Sequence, residues 1–207
     1  MTPDAQQSQR GVVFDIGGVL ELTPELHTIP KWEKQLHLPP GEIGQRLNTV
    51  FEDGCYGRVS EDEVLESIQR LLGIDAQTAD SFMADIWVEY LGTPNDELIA
   101  YFRALQSRCI TGILSNSFVG AREREQEHLG LEGLCGHIVY SHEVGFYKPE
   151  PEIYRLTCER LGLPPQQVVL LDDSPQYIQG AREVGMHTVL FTHNKKAIQA
   201  IERWLAP

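Results

Sequence analysis

Four short stretches of this 207-residue chain carry residue types that do chemistry when brought together. Asp15 closes the apolar run Val12-Val13-Phe14 and leads into Ile16-Gly17-Gly18-Val19-Leu20. Ser115-Asn116-Ser117 closes a second run, Ile113-Leu114. Lys148-Pro149 follows Gly145-Phe146-Tyr147, and Asp172-Asp173-Ser174-Pro175 closes another run at Leu170-Leu171. Each piece has an ordinary use, since a lone Asp ends many strands and an Asp before Pro175 can cap a helix. Capping needs one Asp, however, and here there are two. Three converging carboxylates repel one another unless a cation neutralises them. A hard, all-oxygen donor set of this kind suits Mg²⁺. A hydroxyl, backbone N–H groups and an ammonium are the groups that hold phosphoryl oxygens.

The elements that must position these residues are legible from apolar runs bounded by Gly, Pro, Asn, Asp or Ser. Strands are expected at Gly11–Asp15, Ile110–Leu114, His137–Ser141, Val168–Asp172 and His187–Phe191. Their apolar residues run on without alternation, as in strands buried on both faces. Helical spacing is expected over Asp96–Gln106, Glu150–Leu161 and Pro175–Val184, with Gly162 and Gly185 at the stops. Strand and helix alternating in this way imply a parallel sheet with right-handed crossovers. In such a sheet, ligands bind at the carboxyl ends of the strands. Asp15, Ser115 and the Asp172-Asp173 pair all fall there.

The stretch from Ile16 to Cys109 is far longer than the roughly dozen residues a crossover needs. It contains no evident strand from Leu22 to about Gly92. Helices are expected instead at Thr28–Leu36, Pro40–Phe51, Ser60–Leu72 and Ala76–Leu91, with Ser60 and Glu63 placed as a capping box. The simplest organisation is an α/β core from residues 1–21 and 93–207, with a helical subdomain at 22–92 inserted after the first strand.

Bulk properties narrow the partners. With 42 % hydrophobic residues the chain can build a core. A formal charge of −13 disfavours nucleic acid and anionic membranes, while leaving room for a small anionic substrate in a locally positive site. No apolar run reaches the roughly 18 residues of a membrane span. Met1 to Arg10 is polar, lacks the core of a secretory signal and suits a disordered lead-in to the first strand. Cys55, Cys109, Cys135 and Cys158 show no paired spacing, as expected of reduced thiols in a cytoplasmic protein. The expected assembly is a monomer or homodimer.

Taken in order, Val12-Val13-Phe14-Asp15-Ile16-Gly17-Gly18-Val19-Leu20, Ile113-Leu114-Ser115-Asn116, Lys148-Pro149-Glu150-Pro151-Glu152-Ile153-Tyr154 and Leu170-Leu171-Asp172-Asp173-Ser174-Pro175, followed by Gly180-Ala181 and Gly185-Met186, resemble the haloacid dehalogenase superfamily. The resemblance is to its phosphatase-rich branch, and it runs from Gly11 to about Phe191. It implies a Rossmann-like core with a small helical cap and a Mg²⁺-dependent hydrolase acting on a small organic phosphate. Asp15 would be the nucleophile and a metal ligand, forming an aspartyl-phosphate. The Gly17 carbonyl, Asp172 and Asp173 would complete the metal site. Ser115 and the backbone near Asn116 would bind phosphate, and Lys148 would neutralise the nucleophile and the transferring group.

Two positions depart from that pattern. Gly17 stands where the family usually has the Asp that protonates the leaving group, help worth about 10²–10⁴-fold. Tyr177 stands where an Asn usually supports the metal's water shell. Three explanations for Gly17 remain open. The substrate has a good leaving group, or Glu21, His27 or His37 supplies the proton, or the protein binds Mg²⁺ and phosphate with little turnover. A metal-independent dehalogenase does not need the second Asp, but would have no use for the Asp172-Asp173 pair.

Overall fold

The computed structural model describes residues 9–206. Of the polar lead-in, Met1 to Ser8 lie outside the described residues. Arg10 stacks over Trp204 and donates to the Ala206 carbonyl at 3.0 Å.

The elements in chain order are β1 (Gly11–Phe14), β2 (Glu21–Leu22), α1 (Thr28–Gln35), α2 (Glu42–Cys55), α3 (Glu61–Leu72), α4 (Ala76–Leu91), β3 (Thr93–Pro94) and α5 (Asp96–Leu105). They continue with β4 (Ile110–Ser115), α6 (Ala121–Leu129), β5 (Ile138–Tyr140), α7 (Ser141–Val144), α8 (Pro151–Leu161), β6 (Val168–Asp172), α9 (Pro175–Glu183), β7 (His187–Leu190) and α10 (Asn194–Leu205). The main sheet has five parallel strands in the order β5-β4-β1-β6-β7. β1 is central, with β4 departing to one side and β6 to the other. The switch point of the sheet therefore lies at the end of β1, where Asp15 stands.

Successive β1 residues feed opposite faces. Val12 and Phe14 join Leu98, Phe102, Ile113 and Leu171 on one side, where α5 and α10 pack. Val13 joins Leu114, Ile153, Tyr154 and Leu170 on the other, against α8 and α9. Both faces are thus covered, which is why these strands are continuously apolar.

Helices α1–α4 bury a cluster of their own, with Trp32, Ile43, Leu47, Ile68 and Phe82 at its centre. Ser60 caps α3 in the full reciprocal box with Glu63. Helix α2 runs to Cys55, past the expected end at Phe51, and its Gly54 is a point of close approach. A Cβ there would lie 2.2 Å from the Phe118 ring. Two short strands that the sequence analysis did not place, β2 and β3, flank the inserted helices and pair antiparallel through Glu21–Pro94 and Leu22–Thr93. Two-residue strands leave no periodicity to read. They set the entry and exit of the inserted helices side by side. Asn95 fixes the exit by donating from Nδ2 to the Val19 carbonyl at 2.8 Å.

The inserted helices sit on the carboxyl ends of the strands. Ser141 Oγ donates to the Cys55 carbonyl at 2.9 Å, Tyr56 OH to Glu150 at 2.5 Å, and Arg124 pairs with Glu61 at 2.8 Å.

Candidate active site

Asp15 is still held by the sheet, since its N–H donates to the Leu171 carbonyl at 3.0 Å. Its side chain is fixed twice more. Oδ1 accepts from the Ile16 N–H at 2.8 Å, and Oδ2 lies 2.8 Å from Lys148 Nζ. The following loop folds back as the Val19 and Glu21 N–H groups both donate to the Ile16 carbonyl. Gly18 permits this turn with φ +74°, and a Cβ on it would lie 2.2 Å from Asp173 Oδ2. Gly18 thus makes room for a carboxylate as well as for a turn. Gly18→Ala is expected to displace the Asp173 carboxylate and to weaken any divalent-cation binding by this cluster about tenfold, the usual cost of disturbing a ligand's support. Titration calorimetry of both proteins with MgCl₂ checks this, and unchanged affinity would mean that Asp173 keeps its place or lies outside the donor set.

Lys148 is fully buried. Its ammonium reaches Asp15 at 2.8 Å, Asp172 Oδ2 at 2.6 Å and the Leu114 carbonyl at 3.3 Å. Burial pulls its pKa down, but Asp15 and Asp172 outweigh that and hold it above the ordinary range. Asn116 places the lysine through the backbone. Its Oδ1 accepts from the Lys148 N–H at 2.7 Å, and its Nδ2 donates to the Lys148 carbonyl at 3.0 Å. The Asn116 side chain is thereby committed, which leaves its backbone for an anion. Ser115 ends β4 beside Asp15, with its hydroxyl only 3.4 Å from the neighbouring Asn116 carbonyl.

Asp15, Asp172 and Asp173 can each offer an oxygen within 4.8 Å of the other two. Burial pushes Asp15 up to about 8 against the pull of Lys148, with the charge of Asp172 adding to the rise. Burial and Asp172 likewise raise Asp173. One lysine cannot neutralise three carboxylates. A divalent cation matches both the charge deficit and the oxygen donor set.

A model of the haloacid dehalogenase-like hydrolases matches residues 9–185. The chain belongs to this family. The sequence of this haloacid dehalogenase-like hydrolase is 23 % identical to D-ribitol-5-phosphate phosphatase from Bacteroides thetaiotaomicron, over 86 % of this chain and 90 % of that protein. It is 36 % identical to Bifunctional epoxide hydrolase 2 from Rattus norvegicus, over 94 % of this chain but only 38 % of that longer protein. It spans 20 % of Acyl-CoA dehydrogenase family member 10 from Mus musculus, at 26 % identity. In fold, it resembles a HAD family enzyme from Bacteroides thetaiotaomicron solved with magnesium and inorganic phosphate. That match has a TM-score of 0.75 and 21 % identity, over 89 % of this chain and 95 % of the other.

Against this family background the two departures take physical form. Gly17 faces solvent, and an added Cβ would meet nothing within 4 Å. Of the three residues considered as proton donors, His27 and His37 are exposed just before and just after α1. Glu21 is not, being 1 % exposed and bridged to Gly17 through the backbone. Burial, then Glu125, then Asp15 push Glu21 up to about 9. Tyr177 lies with its ring 4.9 Å from the Lys148 ammonium, so it supports the lysine by a cation–π contact. Trp32 and Trp87 are consumed by packing among the inserted helices. Glu125, 1 % exposed on α6, is the site neighbour that the sequence did not reveal. Within Ala-Arg-Glu-Arg-Glu-Gln-Glu-His-Leu it looks like one more solvated charge.

Proposed function

We propose that this hydrolase is a Mg²⁺-dependent phosphatase of a small organic phosphate, working through an aspartyl-phosphate on Asp15. The observation that carries this reading is the buried Lys148 ammonium clasped between Asp15 and Asp172, with Asp173 beside them. Asp15, Asp172, Asp173 and the Gly17 carbonyl would hold the ion, which would neutralise phosphoryl charge. An Asp15 carboxylate oxygen attacks phosphorus, an acyl-phosphate bond forms, and the bond to the leaving alcohol oxygen breaks. Water then attacks phosphorus, releasing inorganic phosphate and restoring the carboxylate. Lys148 holds Asp15 in place, pulls its carboxyl toward the ionised form, and offers charge to the transferring oxygens. The Ser115 hydroxyl and the Asn116 backbone N–H orient those oxygens.

The inserted helices, residues 22–92, act as a cap that shields the acyl-phosphate from bulk water. Phosphatases among the relatives support a small phosphorylated substrate. All four cysteines are free, in keeping with a reducing cytoplasm. No helix among the described residues is long and apolar enough to cross a membrane.

The test is phosphate release from a panel of alkyl, aryl and acyl phosphates, with and without Mg²⁺. Turnover of at least one class that stops on chelation and returns with MgCl₂ is the expected result. Mg²⁺ or phosphate binding without turnover of any class would instead establish a binding or regulatory protein.

A further inference from the structure

We propose that Tyr56 is a positioning residue for phosphoryl transfer: its hydroxyl, presented by the inserted helices, holds Glu150 and through it the loop that seats Lys148 against Asp15. This rests on the phosphatase reading above.

Lys148 can act from one place alone, since its buried ammonium is shared among Asp15, Asp172 and the Leu114 carbonyl. The loop that carries it joins α7 to α8. Asn116 anchors that loop from the core, through the Lys148 N–H and carbonyl at 2.7 and 3.0 Å. Glu150 anchors it again. Its N–H donates to the Tyr147 carbonyl at 2.7 Å, and its Oε2 accepts from the Tyr147 N–H at 3.2 Å. Lys148 thus sits inside a turn that Glu150 closes with backbone and side chain together. The other oxygen of this carboxylate, Oε1, accepts from the Tyr56 hydroxyl at 2.5 Å. A hydroxyl donating to a carboxylate makes a charge-assisted bond, about twice as strong as a neutral one.

Tyr56 directly follows α2, and its ring is held on two sides. The Tyr147 ring lies 5.7 Å away and the Arg58 guanidinium lies over it at 4.3 Å. The turn that presents Tyr56 is itself bound to the core. A helix end leaves its last carbonyls without helical partners. In α2 the core supplies two of those partners. The Gly54 carbonyl accepts from the Val119 N–H at 3.1 Å, and the Cys55 carbonyl from the Ser141 hydroxyl at 2.9 Å. Ser141 Oγ in turn accepts from the Ser117 N–H at 2.9 Å, two residues beyond Ser115. Gly57, with φ +66°, lets the chain pass the His142 carbonyl, which a Cβ would meet at 1.7 Å.

One turn of the inserted helices therefore grips both the loop after β4 and the loop that carries the lysine. The backbone contacts fix where that turn lies, and the Tyr56 hydroxyl passes its placement on to Lys148. Seating the inserted helices and aligning the ammonium become one event, so the lysine is fully placed when the site is covered.

Tyr56→Phe removes one hydroxyl and keeps the ring on Tyr147 and Arg58. The experiment measures kcat and KM with Mg²⁺ on whichever ester of the panel above is turned over fastest. In Y56F, kcat is expected to fall about tenfold, the lower end of what losing an outer supporting group costs, with KM little changed. A KM rise at unchanged kcat would make Tyr56 a substrate contact, and no change in either would make its bond a matter of packing. Both results overturn the proposal. E150A should lose at least as much, and Y56F should add nothing in the E150A background, whereas additive losses would show that the two do not act through one bond. If Y56F does not fold, an unchanged kcat in E150A overturns the proposal by itself. Hydrogen exchange gives a second readout, independent of turnover. In Y56F the Tyr147 and Lys148 amides should exchange about tenfold faster while those of β1 keep their rates. If no ester is turned over, the phosphatase reading falls, and exchange decides whether Tyr56 holds the lysine's loop. Faster exchange supports that hold, and equal rates overturn it.

Discussion

Replacing Lys148 with Met is expected to abolish turnover and to destabilise the metal-free protein by about 3–5 kcal/mol, the usual cost of removing one partner from a buried ion pair. The side chain is fully buried and holds two carboxylates at 2.6 and 2.8 Å. Methionine fills most of the volume but leaves Asp15 and Asp172 facing one another without a counter-charge. The loss should depend on pH, with a definite sign. Even with the lysine present, burial holds Asp15 at about 8, above its unfolded value of 3.8. A raised acid adds stability below its unfolded pKa and loses it as pH rises through the folded one. Without Lys148 the folded value climbs further, so the Asp15 contribution to the gap between K148M and the wild type should hold steady from about pH 4 to pH 8 and widen above pH 8. Urea melts from about pH 5 to pH 10 test it. A gap that stays constant above pH 8 would mean that lost packing, not lost charge, sets the cost.

Asp15→Asn should abolish turnover equally but shift stability the other way. It removes one member of a crowded carboxylate set while Lys148 keeps Asp172. A gain of about 1 kcal/mol in the metal-free protein is expected, as is common where function holds a site under strain.

The contrast between what the sequence disclosed and what it hid follows from locality. The five sheet strands are bounded apolar runs, and a run records burial of its own residues. Asp15, Ser115, Asp172 and Asp173 could be placed because they stand at or just after the ends of those runs. The capping box at Ser60 is likewise local. Glu125 could not be found, because its burial comes from β2, β5 and α4 and not from its own helix, which is charged throughout. The roles of Asn116 and Tyr177 were hidden for the same reason. A side chain that clamps a distant backbone or lies beside a distant ammonium looks the same, in one dimension, as one that faces solvent. The β2–β3 pair is too short to have any period.

Gly17→Asp should raise turnover of propyl phosphate by about 10²-fold or more, the lower end of what general acid help supplies. Phenyl phosphate should gain much less, because its leaving group departs without a proton. The substitution is sterically open, since the new Cβ meets nothing within 4 Å and the backbone there is not left-handed. The new carboxyl would lie close to Asp15 and Glu21, and like charges nearby favour its protonated, acid-competent form. Equal gains on alkyl and aryl esters would show that the substitution improves binding and not proton transfer.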